Sequence, residues 1–545
     1  MTADVVLKVS DLSVDFQVGG ETVPAVRGVS FSVCRGEVLA LVGESGSGKS
    51  VSSMSVLKLL APNARVQGSI RFNGEEISEL HGEPLRALRG KRIAMIFQEP
   101  MTALNPVYTI GQQIGEAIRS HEDVTEKQAR ERTLELLRLV EIPEPERRID
   151  SYPHQLSGGQ RQRAMIAMAV SGSPEVIIAD EPTTALDVTV QAEILDLLRR
   201  LQKDLGAAVL LITHDMGVVA DLADRVVVMR SGAVVEAAPV RQLFAAPEAE
   251  YTAHLLASVP RPDAQQEHAA IDSELLVEVS GLDVVYPGEL GRKPFHAVHA
   301  VDLAISRGSV HGLVGESGSG KSTIGRAIAG LVRPAAGMMR IGGIDPYTAS
   351  RADRRRLRRT YSMVFQDPGS SLNPRLSIGD SVAAPMVINK FGSRTEIRDR
   401  VCALLDSVKV SSNWVDRFPH ELSGGQRQRV GIARALALDP EFLIADEPTS
   451  ALDVSVQATV LALLSELQER LGFSCLFISH DLAVIELLAD QVTVLQHGRV
   501  VESGPAGDVL RSPSSDYTKR LIAAAPVPDP AAQAERRRAW RAMSA

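Results

Sequence analysis

Short, mostly apolar runs recur along the chain between longer mixed stretches, and the same series of runs occurs twice. The first series is Glu37–Val42 (EVLALV), Ile93–Phe97 (IAMIF), Val176–Ala179 (VIIA) and Ala207–His214 (AAVLLITH). The second is Ser309–Val314 (SVHGLV), Ser362–Phe365 (SMVF), Phe442–Ala445 (FLIA) and Ser474–His480 (SCLFISH). Runs this short, unbroken by polar alternation and flanked by turn residues, predict strands buried on both faces of a mainly parallel sheet. The expected class is therefore α/β, in two copies. No apolar run approaches the roughly 18 residues needed to cross a membrane.

The repetition extends beyond hydropathy. GESGSGKS stands at Gly43–Ser50 and Gly315–Ser322, and LSGGQRQR at Leu156–Arg163 and Leu422–Arg429. ADEPTTALDV at Ala179–Val188 returns as ADEPTSALDV at Ala445–Val454. The step between copies is 272 residues from Lys49 to Lys321, 268 from Gln98 to Gln366, and 266 from the LSGGQ segment onward. Length differences thus fall in the early loops, where they cost little. We read residues 1–258 and 274–525 as two domains and 259–273 as a linker, polar and containing two prolines. The segment 526–545, rich in Ala, Pro and Arg, reads as a flexible tail with a short helix over Glu535–Met543.

Composition narrows the function. The 545 residues carry a net charge of -8, against a basic nucleic-acid binder. Three cysteines, Cys34, Cys402 and Cys475, form no C-x-x-C pair, so neither a disulfide framework nor a cysteine metal site is expected. The N-terminus has no basic region followed by an apolar stretch, and reads as lacking a signal peptide.

The chemistry lies at the ends of the apolar runs. G-x-x-x-x-G-K-S between a strand and a helix is a phosphate-binding loop. Gly43, Ser45, Gly46 and Gly48, and Gly315, Ser317, Gly318 and Gly320, let the backbone wrap with its N–H groups on phosphate oxygens. Lys49 and Lys321 are expected on the outer phosphates, and Ser50 and Ser322 on Mg²⁺. Asp180 and Asp446 end buried strands and are expected to hold Mg²⁺ through water; Glu181 and Glu447 follow, placed to polarise the attacking water. His214 and His480 close the next strand and are expected near the γ-phosphate. Gln98 and Gln366 follow a third strand, where they would sense nucleotide and share in the Mg²⁺ ligand set.

LSGGQ separates this chain from most P-loop ATPases. With the phosphate loop, Gln98, Asp180-Glu181 and His214, it makes the first half resemble an ABC nucleotide-binding domain, and the second half matches it element for element. The resemblance implies two tandem domains, each a RecA-like mixed-sheet core with an α-helical signature subdomain. It also implies two ATP sites shared head to tail. One would join the first loop to Ser423, Gly424 and Gly425, the other the second loop to Ser157, Gly158 and Gly159. Phe16 and Tyr286, at corresponding positions after DLSVD and GLDVV, are expected to stack on adenine. Both halves keep the full set, so both are expected to hydrolyse ATP.

The flanking residues are more specific. FQEPMTALNP with YPHQLSGGQRQR resembles the first ATPase subunit of bacterial oligopeptide/dipeptide importers, and FQDPGSSLNP with FPHELSGGQRQR the second. Pro…Tyr-Thr…Leu segments at Pro247–Leu255 and Pro513–Leu521 belong to the same pattern. The resemblance implies two membrane permease subunits, an extracytoplasmic binding protein and a place at the cytoplasmic face of the membrane, with one copy of the chain per transporter. Permease helices would dock beside Gln98 and Gln366, with Leu104-Asn105-Pro106 and Leu372-Asn373-Pro374 as groove walls. Related systems carry glutathione, nickel complexes or other small solutes. Residues Leu255–Ser273 hold no cysteine, so the iron–sulfur cluster found in some first-type subunits is not expected. The short linker argues against a soluble twin ATPase acting on ribosomes, which stays as the less favoured alternative. The basic run Arg351–Arg359 reads as a solvated helix face.

Overall fold

A computed structural model describes residues 4–184, 186–259, 274–288, 294–366, 368–450 and 452–544. They fall into two units: Met1–Leu186, Val190–Val259 and Pro526–Ala542 make one, and Asp187–Thr189, Pro260–Ala525 and Met543–Ala545 the other. Apart from Val259, the expected linker lies outside the described residues.

At the centre of the first unit is a six-stranded sheet. Its order is Ala233–Pro239, Arg225–Arg230, Val38–Val42, Ala208–Ile212, Val176–Asp180, Ile93–Ile96. Every neighbouring pair is parallel except the edge pair 225–230/233–239. Val38–Val42, Val176–Asp180 and Ala208–Ile212 are buried at every position, which is why they read as unbroken apolar runs. Phe31, Ile70 and Phe72 of an antiparallel sheet, whose strands run Glu21–Cys34, Val5–Val18, Ala64–Phe72 and Glu75–Glu76, cluster with Leu39 and Leu41. A separate cluster joins the core sheet to helices Ile110–Arg119, Glu126–Leu139 and Gly158–Val170. The first two of these helices are opened by Thr109 and Thr125, each in a reciprocal cap with the glutamine three residues on.

The second unit repeats the core sheet in the order Tyr361–Val364, Phe442–Asp446, Ser474–Ile478, Val310–Gly315, Gln491–Gln496, Arg499–Pro505. Its antiparallel sheet has three strands among the described residues; where the first unit pairs Phe72 with Glu75, the second keeps an isolated bridge between Ile341 and Ile344. His311, the polar interruption in SVHGLV, still sits in a buried strand. Thr493 Oγ1 satisfies its Nε2 at 2.9 Å, and burial pushes its pKa down to about 4, so it is carried as neutral imidazole. Helix Arg351–Thr360 buries Leu357 and Thr360 and leaves all six of its arginines exposed, as a solvated basic face should.

The end of the chain corrects the sequence reading. Pro530–Ser544 forms a 15-residue helix, and Pro526–Ala542 is part of the first unit. Val527, Gln533 and Trp540 are buried. Gly217 makes room for the approach, since a Cβ there would lie 2.7 Å from Pro526 Cβ. Asp221 anchors it: the carboxylate accepts from Arg199 (2.7 Å), Gln533 (3.2 Å) and Arg537 (2.9 Å). Arg541 pairs with Asp196. The Ala/Arg composition suggested a loose tail; Arg537 and Arg541 instead meet waiting carboxylates, and Gln533 and Trp540 are buried while most of the alanines face solvent. Asp221→Ala should release this helix, with loss of hydrogen-exchange protection over 530–544 and a cost of roughly 2–3 kcal/mol for the lost charged hydrogen bonds.

Candidate functional site

The phosphate loops connect a core strand to a helix in both units. Gly43 and Gly315 have φ of 149° and no room for a side chain, since a Cβ would lie 2.2 Å from Met229 O or Leu495 O. Gly48 and Gly320 turn left-handed (φ 96° and 100°) directly before helices Lys49–Val56 and Lys321–Ile328. Lys49 Nζ donates to Gly43 O (2.6 Å) and Glu44 O (2.9 Å). Lys321 Nζ repeats this on Gly315 O (2.7 Å) and Glu316 O (2.9 Å). Both lysines are almost fully buried, 6% and 5% exposed, so their charge acts in a poorly screened environment.

The carboxylates converge on the loops. Ser50 Oγ donates to Asp180 Oδ1 (3.0 Å) and Ser322 Oγ to Asp446 Oδ1 (2.8 Å). Burial pushes Asp180 up to about 6, eased by the Ser50 hydrogen bond and reinforced by the Glu181 charge. Asp446 is raised for the same reasons. A buried carboxylate with a hydroxyl beside it is an all-oxygen set suited to a small hard cation.

Glu181 and Glu447 occupy the left-handed region, φ 46° and 45°, a conformation costly for any residue with a Cβ. Each is held there by its own N–H, which donates to Ile212 O (2.8 Å) or Ile478 O (2.9 Å) of the neighbouring strand end. The Glu181 side chain accepts from Gln98 Nε2 (2.8 Å) and Thr184 Oγ1 (2.9 Å) and pairs with His214 Nδ1 (3.0 Å). Glu447 meets Gln366 Nε2 at 2.9 Å and His480 Nδ1 at 3.2 Å. Glutamine, glutamate and histidine, spread over more than a hundred residues of sequence, thus form one hydrogen-bonded chain in each unit.

Phe16 is partly buried against the antiparallel-sheet core. Tyr286 is likewise half-buried, with its hydroxyl 3.4 Å from Thr323 Oγ1 on the loop helix. Ser157 and Ser423 cap the helices that Gly158-Gly159 and Gly424-Gly425 open, in reciprocal bonds with Gln160 and Gln426. Gly159 and Gly425 are required by close packing: a Cβ would meet Val190 Cγ1 at 2.6 Å or Val456 Cγ1 at 2.2 Å. In the first unit this helix packs in a different hydrophobic cluster from the phosphate-loop helix. The unit therefore does not bring its own signature into its own loop's packing.

One expectation changes in part. Leu104 and Leu372 are buried, 2% and 1% exposed, and anchor their loops in the core, while Asn105, Pro106, Asn373 and Pro374 stay exposed. The apolar surface there comes from Met101, Val107 and Tyr108, and from Phe365 and Leu376. In the second unit a cavity of about 320 Å³ opens beside Phe365, lined by Leu331, Tyr361, Met363 and Pro385. Tyr251 and Tyr517 hold an unforeseen position: their hydroxyls accept the loop N–H of Glu44 (3.4 Å) and Glu316 (3.3 Å). The recurrence of Tyr-Thr at the 266-residue step was the available signal; nothing in the sequence signalled the left-handed glutamates.

Two outcomes follow. Tyr251→Phe or Tyr517→Phe removes one brace from a phosphate loop and should weaken ATP binding at that loop by about 1 kcal/mol, roughly five-fold, in equilibrium titration. The second concerns pH. Burial opposes charge on both Glu181 and His214, but their mutual hydrogen bond and attraction outweigh it, leaving Glu181 below 4.5 and His214 above 6.5. The His214 contribution to stability is complete below 6.5 and disappears as pH rises through its raised value. The Glu181 contribution is present above 4.5 and disappears as pH falls through its depressed value. Thermal melts of wild type and Glu181→Gln should therefore differ most between these limits and converge on either side.

The ABC transporter family model matches residues 26–184 and again 298–450. The oligopeptide/dipeptide transporter C-terminal region matches 235–278 and 501–544. A peptidoglycan transport ATP-binding protein of Agrobacterium fabrum is 49% identical over 95% of this chain and 96% of its own. A glutathione import ATP-binding protein of Pectobacterium atrosepticum is 46% identical over 96% of this chain and 90% of its own. An oligopeptide transport ATP-binding protein of Mycobacterium tuberculosis is 45% identical over 96% and 99%. Phosphate loop, buried acid pair and signature helix, each present twice and matched along nearly the whole length of these relatives, place the chain among the ATPases of ABC transporters, with two ATP-binding domains in one polypeptide.

Proposed function

We propose that this ATPase powers an importer of short peptides, working through two membrane permease subunits supplied by an extracytoplasmic binding protein. The observation that carries the reading is the paired C-terminal region of the oligopeptide/dipeptide type. In each unit its tyrosine lies on the phosphate loop. Among the described residues no helix is long and apolar enough to cross a membrane, so permeases would hold the chain at the cytoplasmic face. The relative named for glutathione import supports a second reading, in which the cargo is a small peptide-like thiol.

The chemistry follows from the geometry. Lys49 and Lys321 neutralise phosphate oxygens from buried positions. Ser50, Asp180 and Gln98, and Ser322, Asp446 and Gln366, would hold Mg²⁺, which when bound offsets charge between the outer phosphates. Glu181 and Glu447 orient the attacking water and draw on its proton. His214 and His480 fix those carboxylates and face the γ-phosphate. Following the family resemblance, each ATP is completed by the Ser-Gly-Gly of the other half: Ser423, Gly424 and Gly425 for the first loop, Ser157, Gly158 and Gly159 for the second. ATP then joins the halves and hydrolysis releases them.

The exposed apolar residues around each glutamine, Met101, Val107 and Tyr108 after Gln98, and Phe365 before and Leu376 after Gln366, are the proposed permease contacts. Val107→Asp or Leu376→Asp should leave the basal ATPase of the isolated chain unchanged and lower transport per ATP in the reconstituted complex. The cargo itself is tested by reconstitution with permeases and binding protein. Short peptides should stimulate the ATPase; stimulation by metal chelates alone would refute the peptide reading.

A further inference from the structure

The second unit carries a cluster that the ATPase chemistry does not use. Asp283 lies on strand Leu275–Tyr286, and His296 and His299 on the antiparallel strand Phe295–Ser306. One ligand atom from each lies within 4.8 Å of the other two. Asp283 Oδ1 receives His296 Nε2 at 2.7 Å and the backbone N–H of Ala300 at 3.3 Å. The two imidazole centroids are 3.7 Å apart with a tilt of 41°.

The backbone under the cluster is fixed. Paired residues Val284–Val298 and Val285–His296 set the register. His299 N–H donates to Gly498 O at 2.8 Å. Gly498 has no room for a Cβ, which would lie 2.9 Å from His299 Cδ2. The side chains are half-exposed, so an ion and its remaining water ligands have access. The first unit supplies an internal contrast. By strand register and the matching N–H bond to Gly232 O, Ser13, Pro24 and Arg27 stand at the corresponding positions, and they offer no comparable ligand set.

We propose that Asp283, His296 and His299 form a binding site for a divalent transition metal ion. Two imidazole nitrogens and one carboxylate match the preference of zinc and its neighbours, whereas magnesium and calcium prefer all-oxygen sets. Ligand bonds of about 2.0–2.1 Å put ligand atoms about 3.3 Å apart in a tetrahedron, so small side-chain rotations close the site. The ion would replace the Asp283–His296 hydrogen bond and clamp the two strands. Ala297, between the histidines, packs directly under the second phosphate loop: a Cβ on Gly320 would lie 2.8 Å from Ala297 O. Occupancy would therefore stiffen the strand on which that loop rests.

The test is titration of the full chain with Zn²⁺, with Co²⁺ as a spectroscopic substitute. One equivalent should bind, and Co²⁺ should give the intense visible absorption of a tetrahedral site. His299→Ala and Asp283→Asn should each weaken binding at least ten-fold with unchanged circular dichroism, while His81→Ala should leave it unchanged. Absence of stoichiometric binding by the wild type would overturn the proposal. Binding equal in wild type, His299→Ala and Asp283→Asn would also overturn it, by showing adventitious surface histidines to be responsible.

Discussion

A carboxylate buried at the end of a fully apolar strand is the constraint on which each unit depends. Asp180 and Asp446 are each 2% exposed, and burial alone would favour their protonation. The serine of the phosphate loop gives each a hydrogen bond, and the loop lysine lies close enough to lower its pKa. Loop and strand end therefore hold one another in place. A cation between them, with the phosphates it accompanies, would relieve the remaining electrostatic cost. Binding is thus tied to the same interaction that organises the fold.

The neighbouring glutamate adds a second constraint. A left-handed backbone at a residue with a Cβ is tolerated only where its surroundings over-determine it. Here the strand hydrogen bond, the glutamine, the histidine and, in the first unit, a threonine do so. The turn directs the carboxylate out of the strand, toward the open end of the sheet where α/β folds place their ligands. The C-terminal region adds support from behind, since Tyr251 and Tyr517 reach the backbone of the two loops.

Much of this was legible because parallel strands buried on both faces leave unbroken apolar runs. Val38–Val42 and Val176–Asp180 were readable for that reason, and the motif residues at their ends followed. Even His311 did not disturb the pattern, because one threonine satisfies it. What escaped depended on tertiary packing. Leu104 and Leu372 look like surface loop residues until the fold turns them inward. The final helix looked like a loose tail because its partners, Gly217 and Asp221, lie some three hundred residues earlier. The left-handed glutamates could not be read at all, since glutamate has no preference for that conformation and only the closed strand end imposes it.

The central claim is that both halves are working ATPase centres rather than one centre and a degenerate copy. It is tested most directly by steady-state ATP hydrolysis of Glu181→Gln and Glu447→Gln, prepared separately. Each substitution keeps the side-chain shape but removes the carboxylate proposed to orient the water. The account predicts that each single variant loses well over half of the wild-type turnover while still binding ATP. Full turnover in either variant would contradict it.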